Sequence, residues 1–372
     1  MKLLVISNAP FIKKDNHWFA YSPYVKEMEV WAKHADQIAF CCPKWKKDNG
    51  LLISEISFPV AKLFLLSDFN IKSFQDTFKA FFQISYNIIV VIKAMFWANH
   101  IHLRCPGNVG LIASVAQIFF QNKIKTAKYA GNWDPNAKKP WSYKLQKYIL
   151  SNTYLTKKIQ VLVYGKWEND SKNIKPFFTA TYNEIDKIQT RPRKFENNIQ
   201  MLFVGSLVSG KRPLYAIQIV EKLIENGLNI HLFIFGEGNQ KHIIKKYIEQ
   251  NSLQKNIFIK GNHNTDYIKK AYQQSHFIIL PSESEGWPKV VAEGMFWGCV
   301  PLVTKISCIP YMIKDGERGV VLTMDLKNDV HNIQQLIQNT NEYELMSQKG
   351  QDWSRKYTLD YFEQEIKLLL QA

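Results

Sequence analysis

The chain lacks the sequence features that mark metalloproteins and disulfide-stabilised proteins. It has five cysteines, an odd number, with no CxxC or HExxH spacing, and its nine histidines do not cluster with them. Cys41, Cys42, Cys105, Cys299 and Cys308 lie in apolar or strand-like stretches, as reduced core thiols do. We therefore predict a cytoplasmic protein with no metal ion and no resident cofactor.

Long hydrophobic runs are also scarce. The N-terminal apolar run is only one strand long, too short for a cleavable signal. The longest run, Phe81 to Ala98, is interrupted by Gln83, Asn87 and Lys93, and falls short of the roughly 20 apolar residues that a membrane span needs. We interpret it as a helix that is either buried in the core or in contact with a membrane surface.

Acidic residues are outnumbered, with 48 Lys and Arg against 32 Asp and Glu and a formal net charge of +16. Such a surface attracts anions, which include nucleic acids, anionic membranes and phosphate-bearing small molecules. No zinc-finger, RNA-binding or helix-turn-helix signature accompanies the scattered lysines, so we predict no nucleic-acid partner. Aromatic residues from Phe64 to Trp97, with Lys72, Lys79 and Lys93, instead suit peripheral contact with an anionic inner membrane surface.

The chain has no low-complexity tract or internal repeat, and its 372 residues exceed the size of one ordinary core. Strand-like runs alternate with longer amphipathic segments, which predicts βαβ units in doubly wound parallel sheets. The predicted strands are Leu3 to Ser7, Gln37 to Cys42, His100 to Arg104, Thr126 to Ala130, Ile159 to Tyr164, Met201 to Gly205, His231 to Phe235, Ile257 to Lys260, Phe277 to Leu280 and Val300 to Val303.

A polar segment rich in Lys, Arg, Asn and Pro, from Lys187 to Asn198, separates the two sets of strands and suits an exposed linker. We therefore predict two Rossmann-like α/β domains, residues 1–190 and 191–350. Apolar residues at helical spacing then predict a terminal helix within residues 351–372.

Small and charged residues follow four strands of the second half: Gly205, Gly236 to Gly238, Gly261, and Pro281 to Gly286. Ligands of open parallel sheets bind beyond the carboxyl ends of the strands, where phosphate groups can meet helix N-termini. We therefore expect these four turns to converge on one rim of the second domain.

Two glutamates, Glu285 and Glu293, flank the strongest local motif, in which Gly286 supplies a turn and Pro288 suits the start of a helix. Backbone N–H groups near Gly286 and Trp287 would point at a diphosphate. Two alternatives stay open at this point: the glutamates are ordinary surface acids, or they are the paired carboxylates of a glycosidase.

A second motif runs from Phe203 to Pro213 and delivers Lys211 and Arg212 just before an amphipathic helix. The GxxxxGK[ST] spacing of a P-loop is missing. A departing diphosphate needs such a counter-charge, and Lys211 would supply it without a divalent ion. The alternative is a solvated surface pair.

Together these motifs resemble the retaining GT-B-fold glycosyltransferases of family 4, the glycosyl transferases group 1, over roughly Ile199 to Leu322. The resemblance implies two Rossmann-like domains facing across a cleft, a C-terminal helix that crosses back to the N-terminal domain, and metal-independent transfer from a nucleotide-diphosphate sugar. It implies that Lys211 binds the diphosphate, Glu293 the ribose, and Glu285 lies beside the donor sugar. The catalytic residues are then Glu285 and Lys211, and the remaining donor-binding residues are Gly205, Ser206, Arg212, Gly236, Gly261, Gly286, Trp287, Pro288, Lys289, Val290 and Glu293.

The chain departs from this family at three places. Ser206 stands where the family usually has Arg, and the segment Lys128 to Asp134 lacks the histidine found in many N-terminal domains. Ser7 to Pro10 replaces the glycine-rich turn expected after the first strand. The resemblance gives the N-terminal domain to the acceptor, for which the candidates after its strands are Asn8, Arg104, Asn132 and Trp133. For Trp133 the alternative is a core aromatic, and for Arg104 an ion pair with a carboxylate.

The sequence thus predicts a hexosyl- or related transferase that acts on a glycan or lipid-linked acceptor in the synthesis of a capsule, exopolysaccharide or lipopolysaccharide. The alternatives are a nucleotide-sugar-binding module with weak turnover and a glycan phosphorylase or hydrolase on the same scaffold.

Overall fold

The computed structural model describes residues 1–67, 74–168, 170–189, 193–195 and 198–371. The chain divides into two compact units, Met1–Phe177 with Phe362–Ala372, and Phe178–Tyr361. The first segment of the first unit ends at Phe177, where the last strand that pairs within the first sheet ends. The sequence analysis places this boundary later, at residue 190. Lys72 and part of the predicted linker lie outside the described residues.

The first unit is built on one sheet whose main strands are parallel. From one edge, the order is β10-β9-β8-β7-β1-β4, and β6 also pairs with β4. Strand β2 pairs with β4 in parallel, and β3 and β5 extend the sheet further through antiparallel pairs. The strands are β1 (Lys2–Ile6), β2 (Phe11–Lys14), β3 (His17–Tyr21), β4 (Gln37–Trp45), β5 (Ile53–Glu55), β6 (Lys62–Leu66), β7 (His100–Cys105), β8 (Ile124–Tyr129), β9 (Ile159–Tyr164) and β10 (Ile174–Phe177).

The helices of this unit cover the sheet and bury its apolar strands. Strand β1, with the sequence KLLVI, is buried at its last four positions, as expected for a parallel strand covered on both faces. The helices are α1 (Ser22–Lys33), α2 (Phe74–Trp97), α3 (Asn108–Ala116) and α4 (Trp141–Ser151).

The second unit has a fully parallel six-stranded sheet in the order β13-β12-β11-β14-β15-β16. This is the doubly wound order in which the direction of winding reverses between β11 and β14. The strands are β11 (Ile199–Val204), β12 (Ile230–Phe235), β13 (Ile257–Gly261), β14 (Phe277–Leu280), β15 (Val300–Thr304) and β16 (Val320–Leu322). The helices are α5 (Pro213–Glu225), α6 (Lys241–Gln250), α7 (Thr265–Gln274), α8 (Lys289–Phe296), α9 (Ile309–Ile313), α10 (Leu326–Gln338) and α11 (Thr340–Ser354).

The last helix, α12 (Leu359–Gln371), begins in the second unit and joins the first from Phe362 onward. Within the first unit, the Phe362 ring packs against Phe177 with centroids 5.5 Å apart, and Glu365 accepts an ion pair from Lys175 at 2.5 Å. None of the helices in the described part of the chain combines the length and apolarity required to cross a bilayer.

Candidate functional site

The reversal point of the second sheet brings two of the predicted motifs together. Strands β11 and β14 are neighbours and parallel, so the turns that follow them, residues 205–212 and 281–288, leave the same edge of the sheet. A backbone hydrogen bond of 2.8 Å joins the two turns, from Glu283 N–H to the carbonyl of Gly210. Such a reversal point is where doubly wound sheets bind their ligands.

Glycines let the turns after β11, β12 and β13 approach one another at backbone distance. Gly205 N–H donates to Phe235 O, and Gly236 N–H donates to Gly261 O, both at 2.9 Å. A Cβ on Gly236 would stand 1.9 Å from the carbonyl oxygen of Gly205, and one on Gly238 would stand 2.3 Å from that of Leu207. Together with the hydrogen bond from Glu283 to Gly210, these backbone contacts bring the four turns to one rim.

The two predicted catalytic residues form an ion pair in this rim. Lys211 Nζ donates to Glu285 Oε1 at 2.5 Å, and the carboxylate is 11% exposed against 26% for the ammonium. The Lys211 stem lies over Gly205, where an added Cβ would come within 3.3 Å of Lys211 Cδ. Gly205 therefore makes room for the cation that faces Glu285.

Arg212 pairs with a different carboxylate, that of Glu283. It adopts a left-handed backbone conformation with φ of 48° just before α5. Its guanidinium forms an ion pair of 3.2 Å with Glu283 and donates to the Pro281 carbonyl at 3.5 Å. Both cations of the 205–212 turn thus contact the turn after β14, while Ser206 lies exposed on the same turn.

Side chains at the end of β15 and in the segment after it donate hydrogen bonds to the turn that carries Glu285. Cys308 Sγ and Ser307 Oγ donate to the Gly286 carbonyl at 3.1 and 3.3 Å, and Thr304 Oγ1 donates to Ser282 O at 2.5 Å. Helix α8 then begins after Pro288, with Lys289 exposed and Val290 half-buried in its first turn.

The indole ring of Trp287 is buried and does not line the rim. Its side chain is 8% exposed and stacks on Trp353, with centroids 6.2 Å apart, beside Tyr357. The predicted donor contact of Trp287 is therefore restricted to its backbone, because the ring belongs to the packing between the α8 turn and α11.

Glu293 lies on α8 in a separate hydrogen-bond network. Its two carboxylate oxygens accept bonds from Thr181 Oγ1 at 2.7 Å and from the Tyr272 hydroxyl at 3.1 Å. Burial, and then the Glu293 charge, raise the pKa of Tyr272 well above its usual value, so the phenol remains a donor. Glu293 also lines a shallow pocket with Thr181, Tyr182 and Lys289.

In the first unit, the reversal point lies between β1 and β7, and Asn8 follows β1 there. The Asn8 side chain is exposed and faces Gly107, whose added Cβ would lie 3.5 Å from Asn8 Cβ. The two turns after these strands are thus adjacent, which agrees with the expectation for a post-strand site.

Arg104 is engaged by a carboxylate. It forms an ion pair with Glu27 of α1, which also accepts from Lys128 Nζ at 2.9 Å, and all three side chains are at most 15% exposed. Burial raises the pKa of Glu27, but the two cations outweigh it and hold that pKa well below the usual range. The predicted acceptor role of Arg104 is thereby corrected in favour of its alternative, a buried ion pair.

Trp133 is also corrected, because its side chain is fully buried. Its indole N–H donates to Asp170 at 3.0 Å, and its ring packs edge-on against Tyr129. The neighbouring Asn132 uses its side-chain oxygen to accept from Asp134 N–H at 2.9 Å, which closes a local turn. Trp133 is the core aromatic of the alternative interpretation.

Sequence reasoning missed the residues that hold the predicted ones. Glu283 could have been noticed, because it stands in the same turn as Glu285. Thr181 and Tyr272 at Glu293, and Glu27 at Arg104, lie 21 to 112 residues from their partners, and no local pattern marks them. The five cysteines are all buried and free of disulfides. Among the described residues, no three His, Cys, Asp or Glu side chains come together as a metal site would require.

The two Rossmann-like units have the α/β fold of GT-B glycosyltransferases. Residues 184–353 match the family described as glycosyl transferases group 1. A crystal structure of HepE from Anabaena in complex with UDP superposes with a TM-score of 0.70 at 12% identity, and 100% of each chain is covered. The predicted GT-B fold class is confirmed by this similarity.

Two relatives of known sequence are uncharacterized glycosyltransferases. The protein from Methanocaldococcus jannaschii is 25% identical over 57% of this chain and 58% of its own length. The protein from Haemophilus influenzae is 28% identical over 48% of this chain and 50% of its own length. The chain thus spans only about half of the length of these relatives.

Proposed function

We propose that this protein is a retaining, metal-independent glycosyltransferase that moves a sugar from a nucleotide-diphosphate sugar to a glycan or lipid-linked acceptor. We further propose that it works in the cytoplasm in the synthesis of a cell-surface polysaccharide. The group 1 domain in residues 184–353 and the UDP bound to the HepE structure support a nucleotide-sugar donor. Peripheral contact with an anionic inner membrane belongs to the same proposal.

The observation that carries the proposal is the contact between Lys211 and Glu285 at the reversal point of the second sheet. A cation and a carboxylate 2.5 Å apart, on turns that share one rim, can face the two halves of a sugar diphosphate. The ammonium would stabilise charge on the diphosphate, and the carboxylate would stabilise positive charge that develops on the sugar.

The reaction then needs no covalent intermediate. The bond between the sugar and the phosphate oxygen breaks, and its electron pair leaves with the nucleotide diphosphate. The acceptor hydroxyl forms the new glycosidic bond on the same face of the sugar, and its proton passes to the departing phosphate oxygen. Lys211 supplies the counter-charge to the leaving group, and Glu285 holds the sugar in position.

Glu293 would bind the ribose of the donor. Both of its oxygens accept from protein hydroxyls, which fixes the orientation of the carboxylate on α8. A carboxylate oxygen has a second lone pair, so it can also accept a bond from a ribose hydroxyl. The Glu293 side chain is only partly buried, so one side of the carboxylate remains open to a ligand.

Calorimetric titration with UDP and UDP-sugars tests this assignment in two variants. We expect Lys211→Ala to weaken UDP binding about tenfold to a hundredfold, because a charge-assisted bond to the diphosphate is lost. We expect Glu285→Gln to keep UDP binding within about threefold but to lower donor turnover at least about a hundredfold. Turnover is measured as release of UDP, and the anomer of the sugar first released, seen by NMR, tests retention.

Lys241→Ala is the matched control, because Lys241 lies at the start of α6 near the same rim and pairs with Glu237 at 2.7 Å. It should bind UDP like the unmodified protein. Equal UDP affinity in the Lys211→Ala and Lys241→Ala variants contradicts the proposed role of Lys211. Turnover that disappears with EDTA contradicts a metal-independent reaction.

A further inference from the structure

One face of helix α2 is apolar and exposed. Phe82, Tyr86, Ile89, Lys93 and Phe96 follow one another at spacings of four and three residues, so they share one side of the helix. All five are exposed, and Phe96 is 70% exposed. The opposite side of α2 is buried in the core of the first unit. The buried side of α2 agrees with its interpretation as a core helix, and contact of the exposed side with a membrane stays a prediction.

Helix α4 repeats this pattern. Trp141, Leu145 and Tyr148 are exposed at the same four-and-three spacing, and Tyr154 after the helix is 85% exposed. Phe119, which follows α3, is 80% exposed. Large apolar side chains that are exposed close together in the fold mark an interaction surface.

The three helices form one layer on one side of the sheet. Each of them connects neighbouring or successive parallel strands from β6 to β7, β8 and β9, and right-handed crossovers in one direction place helices on one side. Helix α3 contacts both α2 and α4. We call the outer surface of this layer, with Phe82, Tyr86, Ile89, Phe96, Phe119, Trp141, Leu145 and Tyr148, the docking face.

The segment that forms the docking face also holds most of the net positive charge. Residues 82–158 contain ten Lys and one Arg against one acidic residue, Asp134, which gives +10 of the total of +16. Lys93, Lys144, Lys157 and Lys158 are exposed. Asp134 accepts hydrogen bonds from the backbone of its own turn.

We propose that the docking face binds the surface of an anionic phospholipid bilayer. Exposed Trp, Tyr and Phe side chains suit the interface between headgroups and acyl chains, while the lysines attract anionic lipid. A second copy of the chain fits this face less well, because it would bring the exposed lysines Lys93, Lys144, Lys157 and Lys158 of the two copies together. The inference rests on the proposed function only in that a lipid-linked acceptor would lie at such a surface.

Flotation of the full chain with vesicles tests the docking face without donor or acceptor. We expect it to float at low salt with vesicles containing about 30% phosphatidylglycerol in phosphatidylcholine, but not with phosphatidylcholine alone. The variant Phe119→Ser/Trp141→Ser/Tyr148→Ser should lose at least about tenfold in partitioning, because apolar insertion is lost. Lys93→Glu/Lys144→Glu/Lys157→Glu should lose as much, since each lysine near the surface contributes about 1 kcal/mol.

Matched controls lie in the second unit, where Ile243 and Leu345 are exposed on α6 and α11, and Lys245, Lys327 and Lys356 are exposed. Ile243→Ser/Leu345→Ser and Lys245→Glu/Lys327→Glu/Lys356→Glu should float like the unmodified chain. Thermal unfolding verifies that every variant is folded. Equal loss in the control variants overturns the assignment to this face.

Other outcomes also decide the question. Flotation that does not depend on anionic lipid overturns the charge argument. A dimer that forms in solution, fails to float, and dissociates in the Ser variant makes the face an interface between copies. A chain that binds UDP but does not float contradicts this inference and the membrane contact proposed above, and leaves the proposed sugar transfer standing. A chain that floats but binds no nucleotide contradicts the proposed sugar transfer and leaves the docking face standing.

Discussion

The buried group Glu27, Arg104 and Lys128 ties three elements of the first unit together. Glu27 projects from α1, and Arg104 and Lys128 are paired neighbours on β7 and β8. The Lys128 ammonium also lies over the Phe362 ring of α12 at 5.2 Å and over the Tyr164 ring at 5.9 Å. The Glu27 carboxylate thus neutralises two buried cations that pack against α1 and α12.

Glu27→Ala should destabilise the first unit by about 3–5 kcal/mol, because it removes the carboxylate that two buried cations share. The measurement is the urea midpoint at neutral pH, followed by hydrogen exchange of peptides that contain β7. Glu29→Ala on the same helix is the control, because Glu29 accepts a surface hydrogen bond from Ser57 at 3.1 Å. A Glu27→Ala variant as stable as this control would show that the group contributes nothing to stability.

Single residues show where sequence reasoning succeeds and where it fails. Lys211 and Glu285 could be identified because each directly follows a strand, and parallel strands bring their carboxyl ends to one edge. The partners of Glu293 and Arg104 could not, because a hydrogen bond between residues distant in the chain leaves no periodic signal. The sequence left the burial of Trp133 open between two interpretations, because burial of a turn residue depends on packing by distant segments, here α4 and the segment after β9.

At the scale of elements, the buried parallel strands were the most predictable feature. Each is a short apolar run bounded by polar turns, and Phe277–Leu280 agrees at both ends with the predicted strand. The strands at the far edge, β2, β3 and β5, were not predicted, because they mix exposed and buried residues over three to five positions. The strand β10 was also missed, and with it the end of the first unit at Phe177.

The contact between the turns after β11 and β12 can be tested with two glycines that differ only in their surroundings. An added Cβ on Gly238 would meet Leu207 O at 2.3 Å, whereas one on Gly210 has nothing within 4 Å, and neither residue has a positive φ. We expect Gly238→Ala to lower the melting temperature of the second unit by about 5–10 °C, since forced overpacking costs about 1–3 kcal/mol. It should also weaken UDP binding, because the rim must shift.

Gly210→Ala should melt within about 1 °C of the unmodified protein, since no neighbouring atom has to move. Differential scanning calorimetry of both variants gives the comparison. Equal melting temperatures for the two variants would contradict the close backbone approach of these turns.

At the scale of the whole molecule, buried histidines make the stability of the fold sensitive to acid. Two buried histidines of β7, His100 and His102, share the Thr126 hydroxyl as a hydrogen-bond partner at 3.0 and 2.9 Å. Burial lowers the pKa of His100 to about 4, and burial with the nearby Arg104 charge lowers that of His102 well below its usual value. In the second unit, burial likewise lowers the pKa of His276.

The sign of the effect follows from proton uptake by the unfolded chain. Its histidines titrate near the ordinary value of 6.5, while the folded His100 stays neutral down to about pH 4. The stability is therefore complete above pH 6.5 and falls as the pH drops from 6.5 towards 4, by up to about 3 kcal/mol for His100 alone. Glu27 adds a second loss at lower pH, because its folded pKa lies below that of the unfolded state.

We therefore expect the first unit to lose stability between pH 7.5 and pH 5, measured as hydrogen exchange of β7 and β8 peptides corrected for the intrinsic exchange rate. His100→Gln should reduce this loss, because an amide cannot take up the proton that the unfolded histidine binds. His242→Gln is the control, since His242 is exposed on α6 and has no such burial. If His100→Gln and His242→Gln retain the same pH dependence as the unmodified chain, His100 does not cause the acid sensitivity, and His102 and, at lower pH, Glu27 are left as the candidates.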